Sequence, residues 1–188
     1  MKTIILVEPQ VPENTGFIAR LCSNYDYELR VVSPEFNLSE SRDTAVNAQE
    51  KLDGADIFET LGDAISDLDF VVGTKPGRGI SVGDFQPRKN TSIVLGREDS
   101  GLSSEELERC DAVVHLDVPG YSSLNLSHAA GILMHEFTVN AEGENLEGRK
   151  EYLKEEVGDN ILSELIMRGS PTEKEFDRLM GVMKDLEN

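Results

Sequence analysis

Short apolar runs recur along the first two thirds of the chain, and each is bounded by polar or turn-forming residues. Apolar and polar residues hardly alternate within them, which is typical of strands buried on both faces of a parallel sheet. We therefore predict buried strands at Thr3 to Glu8, Leu29 to Ser33, Asp69 to Thr74, Ser92 to Gly96 and Ala112 to Val118.

Helical patterns separate these runs and give the strand–helix alternation of an open α/β sheet. The helices are predicted at Thr15 to Ser23, Glu40 to Leu52, Leu61 to Ser66, Ser104 to Cys110 and Asn125 to Val139. Ser103 and Glu106 form a capping box that fixes one helix start. The pattern alone predicts a doubly wound parallel sheet. Nothing in it indicates a knot, which is rare in proteins.

The C-terminal part of the chain differs in composition from the rest. A polar, glycine-bearing stretch follows Asn140 and is typical of a linker. Further on, the run Ser170 to Glu173 predicts a helix start, with serine as the cap and proline at the first helical position. We expect a core domain at residues 1–140, followed by a linker and a small helical extension at residues 141–188.

The charge balance is strongly acidic. The chain has 36 acidic and 18 basic residues, a net charge of −18, which repels phosphate and by itself argues against nucleic acid. The segment 75–97, however, holds five cations against the single acid Asp84, so RNA could dock there. An acidic protein with no nucleic-acid function is the alternative. A salt-rich cytoplasm would account for the acidic surface.

Several other functions are not expected. There is no apolar run of about 18 residues and no signal-peptide pattern at the N-terminus, so we expect a soluble, cytoplasmic protein and no membrane contact. Cys22 and Cys110 lie in predicted helices and are expected to be small buried hydrophobes. His128 and His135 lack the spacing of a helical metal pair, so we expect no metal.

Three polar, turn-forming junctions each follow an apolar run. The first, Pro12 to Arg20, contains the pattern Asn-x-Gly-x-x-x-Arg, and the second, Leu95 to Leu102, contains Gly-Arg-Glu-x-x-Gly-Leu. In the third, Gly120 to Ala129, hydroxyls and an amide run directly into a small-residue helix. Ligands of parallel sheets bind at the carboxyl ends of the strands, so we expect the three junctions to meet around one ligand.

These motifs resemble the signatures of the SPOUT superfamily of knotted RNA methyltransferases, and within it the TrmJ group of tRNA ribose 2'-O-methyltransferases. The resemblance covers roughly residues 3–140. It implies a parallel α/β sheet with a deep C-terminal trefoil knot, formed where the chain threads near residues 95–130. It also implies S-adenosylmethionine as methyl donor, tRNA as substrate and a homodimer. Nucleotide 32 of the anticodon loop is the expected target; ribosomal RNA, or a non-catalytic RNA-binding module, is the alternative.

The resemblance also implies site residues. The catalytic set is Arg20, Asn14, Glu98, Ser123 and Asn125. The donor would contact Thr74, Lys75, Gly96, Leu116, Ser122, Ser123 and Leu124. RNA would contact Arg20, Lys75, Arg78 and Arg88. In the family, the arginine of the first motif helps to deprotonate the 2'-hydroxyl, although orienting the ribose suits a guanidinium better.

Plainer interpretations of the same residues stay open. A lone arginine on a helix, such as Arg20, is usually a solvated charge. Glu98 could belong to a surface ion pair, and Asn125 could be a helix cap with no further role. The chain departs from the family where Asn24 to Asp26 replaces an Asn-Phe-Gly turn. Aspartate can adopt the left-handed conformation, so we expect the turn to survive. The connection from Thr74 to Ser92 is shorter than in most relatives.

Overall fold

The computed structural model describes residues 1–121 and 124–141, and these residues contain one seven-stranded sheet. All paired strands are parallel, in the order β3-β2-β1-β6-β4-β7-β5. The strands are β1 (Thr3–Val7), β2 (Glu28–Val32), β3 (Asp56–Phe58), β4 (Phe70–Thr74), β5 (Ile80–Ser81), β6 (Thr91–Leu95) and β7 (Ala112–His115). The predicted parallel α/β sheet is confirmed.

Helices flank the sheet. They are α1 (Pro12–Tyr25), α2 (Gln49–Asp53), α3 (Leu61–Ile65), α4 (Ser104–Glu108) and α5 (Leu126–Val139), with a 3-10 helix at Leu38–Ser41. The five strands predicted from apolar runs are all present, although the last ends at His115 instead of Val118. The first helix begins at Pro12, which suits the first helical position because that position needs no backbone N–H.

The position of the central strand β1 explains why four of its five residues are apolar. Ile4 and Leu6 point into a core shared with α1 and α5, whereas Ile5 and Val7 point into a second core shared with α3 and α4. Successive side chains of a strand point to opposite faces, so a strand covered on both sides needs apolar residues at every position.

Two edge strands and one helix differ from the prediction. The strands β3 and β5 were not predicted, because runs of three and two residues carry no usable periodicity. The helix predicted at Glu40 to Leu52 is wrong: the 3-10 helix ends at Ser41, and α2 starts only at Gln49. Between them Asn47 adopts the left-handed conformation, with φ of 62°, which a continuous helix cannot contain.

Local turn and cap predictions are confirmed. Asp26 ends α1 with φ of 56°, and its N–H donates to the Cys22 carbonyl, so aspartate replaces the glycine of the family turn. Ser103 Oγ accepts from the Glu106 N–H at 3.2 Å, while the Glu106 carboxylate accepts from the Ser103 N–H at 2.7 Å. This reciprocal capping box starts α4.

Some predictions fall outside the described residues. These are Ser122 and Ser123 of the third motif and the linker and helical extension beyond Ala141. Among the described residues, no helix has the length and apolar character needed to cross a membrane. Both cysteines are free, and burial raises the pKa of each thiol to about 12.

Candidate active site

Three motifs that are distant in sequence meet in one hydrogen-bonded chain of side chains. The Asn14 amide nitrogen donates to Glu98 Oε1 at 3.1 Å, and the Asn125 amide nitrogen donates to Asn14 Oδ1 at 2.9 Å. The second carboxylate oxygen of Glu98 accepts from the backbone N–H of Gln10 at 2.8 Å. The predicted meeting of the three junctions is therefore present.

The third motif joins this chain at the start of α5. Asn125 Oδ1 accepts from the backbone N–H groups of Ser127, at 2.9 Å, and His128, at 3.4 Å. It also accepts from the Ser127 hydroxyl at 2.7 Å. Asn125 thus caps the helix with its oxygen and donates to Asn14 with its nitrogen, so its role as a cap does not prevent contact with the first motif.

A cavity of about 260 Å³ lies beside these hydrogen-bonded side chains, at the carboxyl ends of β4, β6 and β7. Five leucines and residues of the loops that follow β4 and β6 line it, and such a mixture of apolar and polar residues is expected of a small-molecule site. Five of the residues predicted to contact a methyl donor line it, namely Thr74, Lys75, Gly96, Leu116 and Leu124. Asn14, Arg20 and Asn125 are not among its lining residues.

Gly96 is required by the chain's own backbone. A Cβ atom there would lie 2.3 Å from both the carbonyl carbon of Gly101 and the nitrogen of Leu102. The returning end of the loop therefore occupies the space that a side chain would fill, and it sets the shape of the cavity wall.

Gly16 of the first motif has a similar explanation. Its Cβ would lie 2.0 Å from Thr44 Oγ1 and 2.4 Å from the Ser41 carbonyl oxygen, so α1 packs directly on the segment that follows the 3-10 helix. The glycine in the pattern Asn-x-Gly-x-x-x-Arg is thus a packing requirement.

Arg97 anchors the loop after β6 and was not assigned a role from the sequence. Its guanidinium donates to Glu8 at 2.7 Å and to both carboxylate oxygens of Glu106 at 3.0 and 3.1 Å. The hydrogen bonds that Arg97 donates to Glu106, and then to Glu8, raise the pKa of Arg97. Burial alone would raise the pKa of Glu106, but the bonds from Arg97 and Ser103 outweigh it and lower that pKa.

The basic segment 75–97 does not form one charged patch. Arg97 is paired with two carboxylates, and the Lys75 ammonium group binds backbone carbonyls. The Arg88 guanidinium lies 4.0 Å from the centroid of the Phe70 ring, and burial lowers its pKa. Arg78 and Lys89 are exposed.

Arg20 lies on α1 but not beside Asn14. Six residues of α-helix separate them, which turns their side chains about 120° apart. Asn14 is buried and faces Glu98, whereas Arg20 is exposed, on the same side of α1 as Phe17, whose side chain is 43% exposed. The structure therefore places Arg20 on an open face of the chain.

His115 lines the cavity. Its Nε2 lies 3.3 Å from Asp117 Oδ1, and the Ser81 hydroxyl donates to the other oxygen of that carboxylate. His128 and His135 are exposed on α5. Within residues 1–121 and 124–141, no cluster of three or more His, Cys, Asp or Glu side chains could hold a metal ion.

Comparison with known proteins agrees with this fold. The chain is 36% identical to the tRNA (cytidine-2'-O-)-methyltransferase TrmJ of Methanocaldococcus jannaschii, with 72% of the chain and 66% of that protein covered. It thus spans just under two thirds of that relative's length. Two solved structures share the fold at 24% identity. One, described as giving structural insights into the 2-OH methylation of C/U34 on tRNA, has a TM-score of 0.67 and covers 73% of this chain and 93% of its own.

The second structure is the SpoU methyltransferase AviRb from Streptomyces viridochromogenes, in complex with the cofactor AdoMet. Its TM-score is 0.65, and the match covers 73% of this chain and 59% of AviRb. A model of the SpoU rRNA Methylase family matches residues 1–135. The resemblance stated from three motifs is therefore confirmed, and this chain belongs to the SpoU methylase family.

Proposed function

We propose that the chain is an S-adenosylmethionine-dependent methyltransferase that modifies a ribose 2'-hydroxyl of tRNA. The observation that carries this proposal is the meeting of the three motifs, through Glu98, Asn14 and Asn125, beside a cavity of about 260 Å³. The identity with a TrmJ enzyme supports ribose 2'-O-methylation and tRNA as the substrate class.

The cavity suits a nucleoside-bearing donor. Leu116, Leu124 and Leu133 offer apolar contacts to a flat base, and the backbone of the loops after β4 and β6 offers hydrogen bonds. S-adenosylmethionine supplies a methyl group activated on a sulfonium. The chain's own contribution is to hold the donor and align the 2'-hydroxyl behind that methyl. Ser122 and Ser123 remain predicted donor contacts.

We assign Arg20 to the ribose side of the reaction, in the site of a second copy of the chain. Arg20 does not line the cavity of its own chain and is exposed on α1 beside Phe17. Phe17 and Ile132, which lies on the adjoining helix α5, are each 43% exposed. Apolar surface of this kind supports a homodimer. In that arrangement the guanidinium would orient the ribose or assist loss of its hydroxyl proton.

The RNA target is proposed to be nucleotide 32 in the anticodon loop of tRNA. Single-stranded loops expose the 2'-hydroxyl, and one solved structure of this fold concerns nucleotide 34 of tRNA, two positions further along. Arg78 is exposed in the turn after Pro76, which lines the cavity, so it is the best placed of the predicted RNA contacts. Lys75 and Arg88 are engaged elsewhere. A tRNA substrate would place the enzyme in the cytoplasm.

A trefoil knot at residues 95–130 belongs to the same proposal. Its support is the strand order: after β6, which lies between β1 and β4, the chain passes through α4 to β7 on the far side of β4. It then returns to pack α5 against α1. The domain boundary near residue 140, and a helical extension beyond it, remain predictions.

Two experiments test the proposal. Calorimetry should detect binding of S-adenosylmethionine by the full chain, at low and at high salt. Absence of heat in both would contradict donor binding and favour an RNA-binding module. Total RNA incubated with labelled donor should then be modified on tRNA, and mapping the methylated nucleotide tests position 32. Label confined to ribosomal RNA would overturn the tRNA assignment.

A further inference from the structure

The Lys75 side chain binds backbone, although its position in a basic segment suggested contact with a ligand or RNA. Its Nζ donates to the carbonyl oxygen of Ser100 at 3.0 Å and to that of Leu102 at 2.8 Å. These two carbonyls flank Gly101. One ammonium group thus connects the loop after β4 to the loop after β6, across 25 and 27 positions of sequence.

The loop after β6 is held from a second direction by Arg97. The Arg97 guanidinium donates to the Gly101 carbonyl at 3.3 Å, and the Gly101 N–H donates back to the Arg97 carbonyl at 2.9 Å. Three successive carbonyls, from Ser100 to Leu102, therefore accept hydrogen bonds from two cations. Hydrogen bonds from charged donors are about twice as strong as neutral ones.

The two cations differ in their acidic partners. Arg97 is paired with Glu8 and Glu106, whereas none of the ion pairs within residues 1–121 and 124–141 includes Lys75. Carbonyl oxygens are the ammonium group's protein partners. Lys75 and the loop from Gly96 to Gly101 all line the cavity, so this contact lies in the cavity wall itself.

We propose that Lys75 is a positioning residue of the donor pocket. Its ammonium group holds the backbone from Ser100 to Leu102 against Gly96 and keeps the cavity open in the shape that the donor needs. The inference rests on the proposed donor site. It gives Lys75 a role through the loop, in place of a direct contact with RNA phosphate.

The first test needs no ligand. Amide hydrogen exchange at Gly101 should be about tenfold faster in Lys75→Met than in the unaltered chain, because a loop that loses bonds from a charged donor opens more often. Lys89→Met is the matched control: Lys89 is an exposed lysine of the same segment and should leave this exchange unchanged. Equal exchange in both variants would overturn the proposal.

The second test measures donor affinity by calorimetry with S-adenosylhomocysteine. Lys75→Met should bind about tenfold more weakly, with Lys89→Met within about twofold of the unaltered chain. Lys75→Arg keeps the charge but carries a wide planar group, so it should recover little of the affinity. Full recovery of donor affinity by arginine would contradict the fit of the ammonium group to the two carbonyls and refute the proposal. Unchanged donor affinity in Lys75→Met, with weaker and less salt-dependent RNA binding, would make Lys75 a phosphate contact and likewise refute it.

Failure of this inference can be told apart from failure of the proposed function. If the unaltered chain does not bind S-adenosylhomocysteine, the donor assignment fails, while the exchange rate at Gly101 still decides whether Lys75 holds the loop. If Lys75→Met does not fold, exchange in Lys75→Arg takes its place. Faster exchange there supports the proposal, and unchanged exchange contradicts it.

Discussion

The cavity wall and the outer face of α1 differ in how many of their side chains already have partners within the chain. In the wall, both oxygens of Glu98 accept hydrogen bonds and Arg97 pairs with two carboxylates. On the outer face, Arg20 and Phe17 are exposed. The difference agrees with the proposed function, in which the donor side is formed before any partner binds and the ribose side needs a second molecule.

This division has an energetic basis. A cavity whose polar groups are already paired loses little conformational freedom when a ligand binds, so more of the contact energy appears as affinity. An exposed arginine loses its freedom only when a partner covers it. Variants of the two regions should therefore fail differently, with donor binding lost in one and turnover alone lost in the other.

Replacement of Arg20 should give the largest effect, and on turnover only. Arg20→Ala is expected to lower the initial rate of tRNA methylation at least about 100-fold, the range for loss of a group that assists proton transfer. Donor affinity should stay within about twofold, and the free energy of unfolding within about 0.5 kcal/mol, because the side chain is exposed. The measurements are methylation rates, calorimetry and urea denaturation.

Arg109→Ala is the matched control for Arg20, since Arg109 is another exposed arginine and lies at the C-cap of α4. It should retain full turnover. Undiminished turnover in Arg20→Ala would remove that residue from the catalytic set. If Arg20 acts in the site of a second copy, mixing Arg20→Ala with a chain whose cavity is blocked by Leu116→Arg should restore part of the activity. No restoration would argue against that assignment.

Gly96→Ala should damage the cavity wall itself. The added Cβ would press on the backbone at Gly101 and Leu102 from 2.3 Å, and backbone cannot move aside as a flexible side chain can. We expect a loss of about 3 kcal/mol in the free energy of unfolding, together with loss of donor binding. Gly120→Ala is the control, because a Cβ there meets nothing within 4 Å. Similar stability for both variants would contradict the close contact.

Asn14→Ala should remove the hydrogen bonds that connect Glu98 to Asn125. Both partners then lose a hydrogen bond at a site where Asn14 is buried, Glu98 is partly buried and Asn125 is exposed, which costs about 1–3 kcal/mol in the free energy of unfolding. Asn24→Ala, at an exposed position of the same helix, should cost less than about 0.5 kcal/mol. Equal urea midpoints for the two variants would show that these hydrogen bonds contribute little.

Glu106→Gln should give the smallest effect, and one that depends on pH. The folded chain lowers the pKa of Glu106 below its ordinary 4.5, so the ionised form adds stability above about pH 4.5, and this is lost as the pH falls further. The variant should be less stable by about 1 kcal/mol at pH 7. The gap should close as the pH falls below about 4.5.

Glu105→Gln provides the comparison for this pH series, as Glu105 is the exposed neighbour on α4. Urea denaturation of both variants and of the unaltered chain at several pH values would suffice. A stability gap for Glu106→Gln that stays constant with pH would show that the charge on this carboxylate does not contribute.

Features set by neighbouring residues could be predicted from the sequence. The capping box of Ser103 and Glu106 and the left-handed Asp26 depend on contacts within five residues, and both predictions were confirmed. The alternation of apolar runs also predicted the sheet, because burial on both faces leaves a strong pattern. The resemblance predicted that Asn14, Glu98 and Asn125 belong to one site, and the structure joins the three by hydrogen bonds.

Contacts across long stretches of sequence could not be predicted in the same way. The ion pair of Arg97 with Glu8 joins residues 89 positions apart, and no local pattern marks it. Lys75 gives the same lesson, since its charge indicated RNA contact while the fold points it at two carbonyls. The chemistry of a side chain determines which hydrogen bonds and ion pairs it can form, but the fold determines which partner lies within reach.

The two edge strands of the sheet are very short, β3 with three residues and β5 with two. A long unpaired edge strand is a template on which other chains can add strands and grow into fibrils. Here little backbone is available for such growth, and the net charge of −18 keeps molecules apart. The described domain should accordingly stay free of fibrous aggregates at concentrations where proteins with long open margins precipitate.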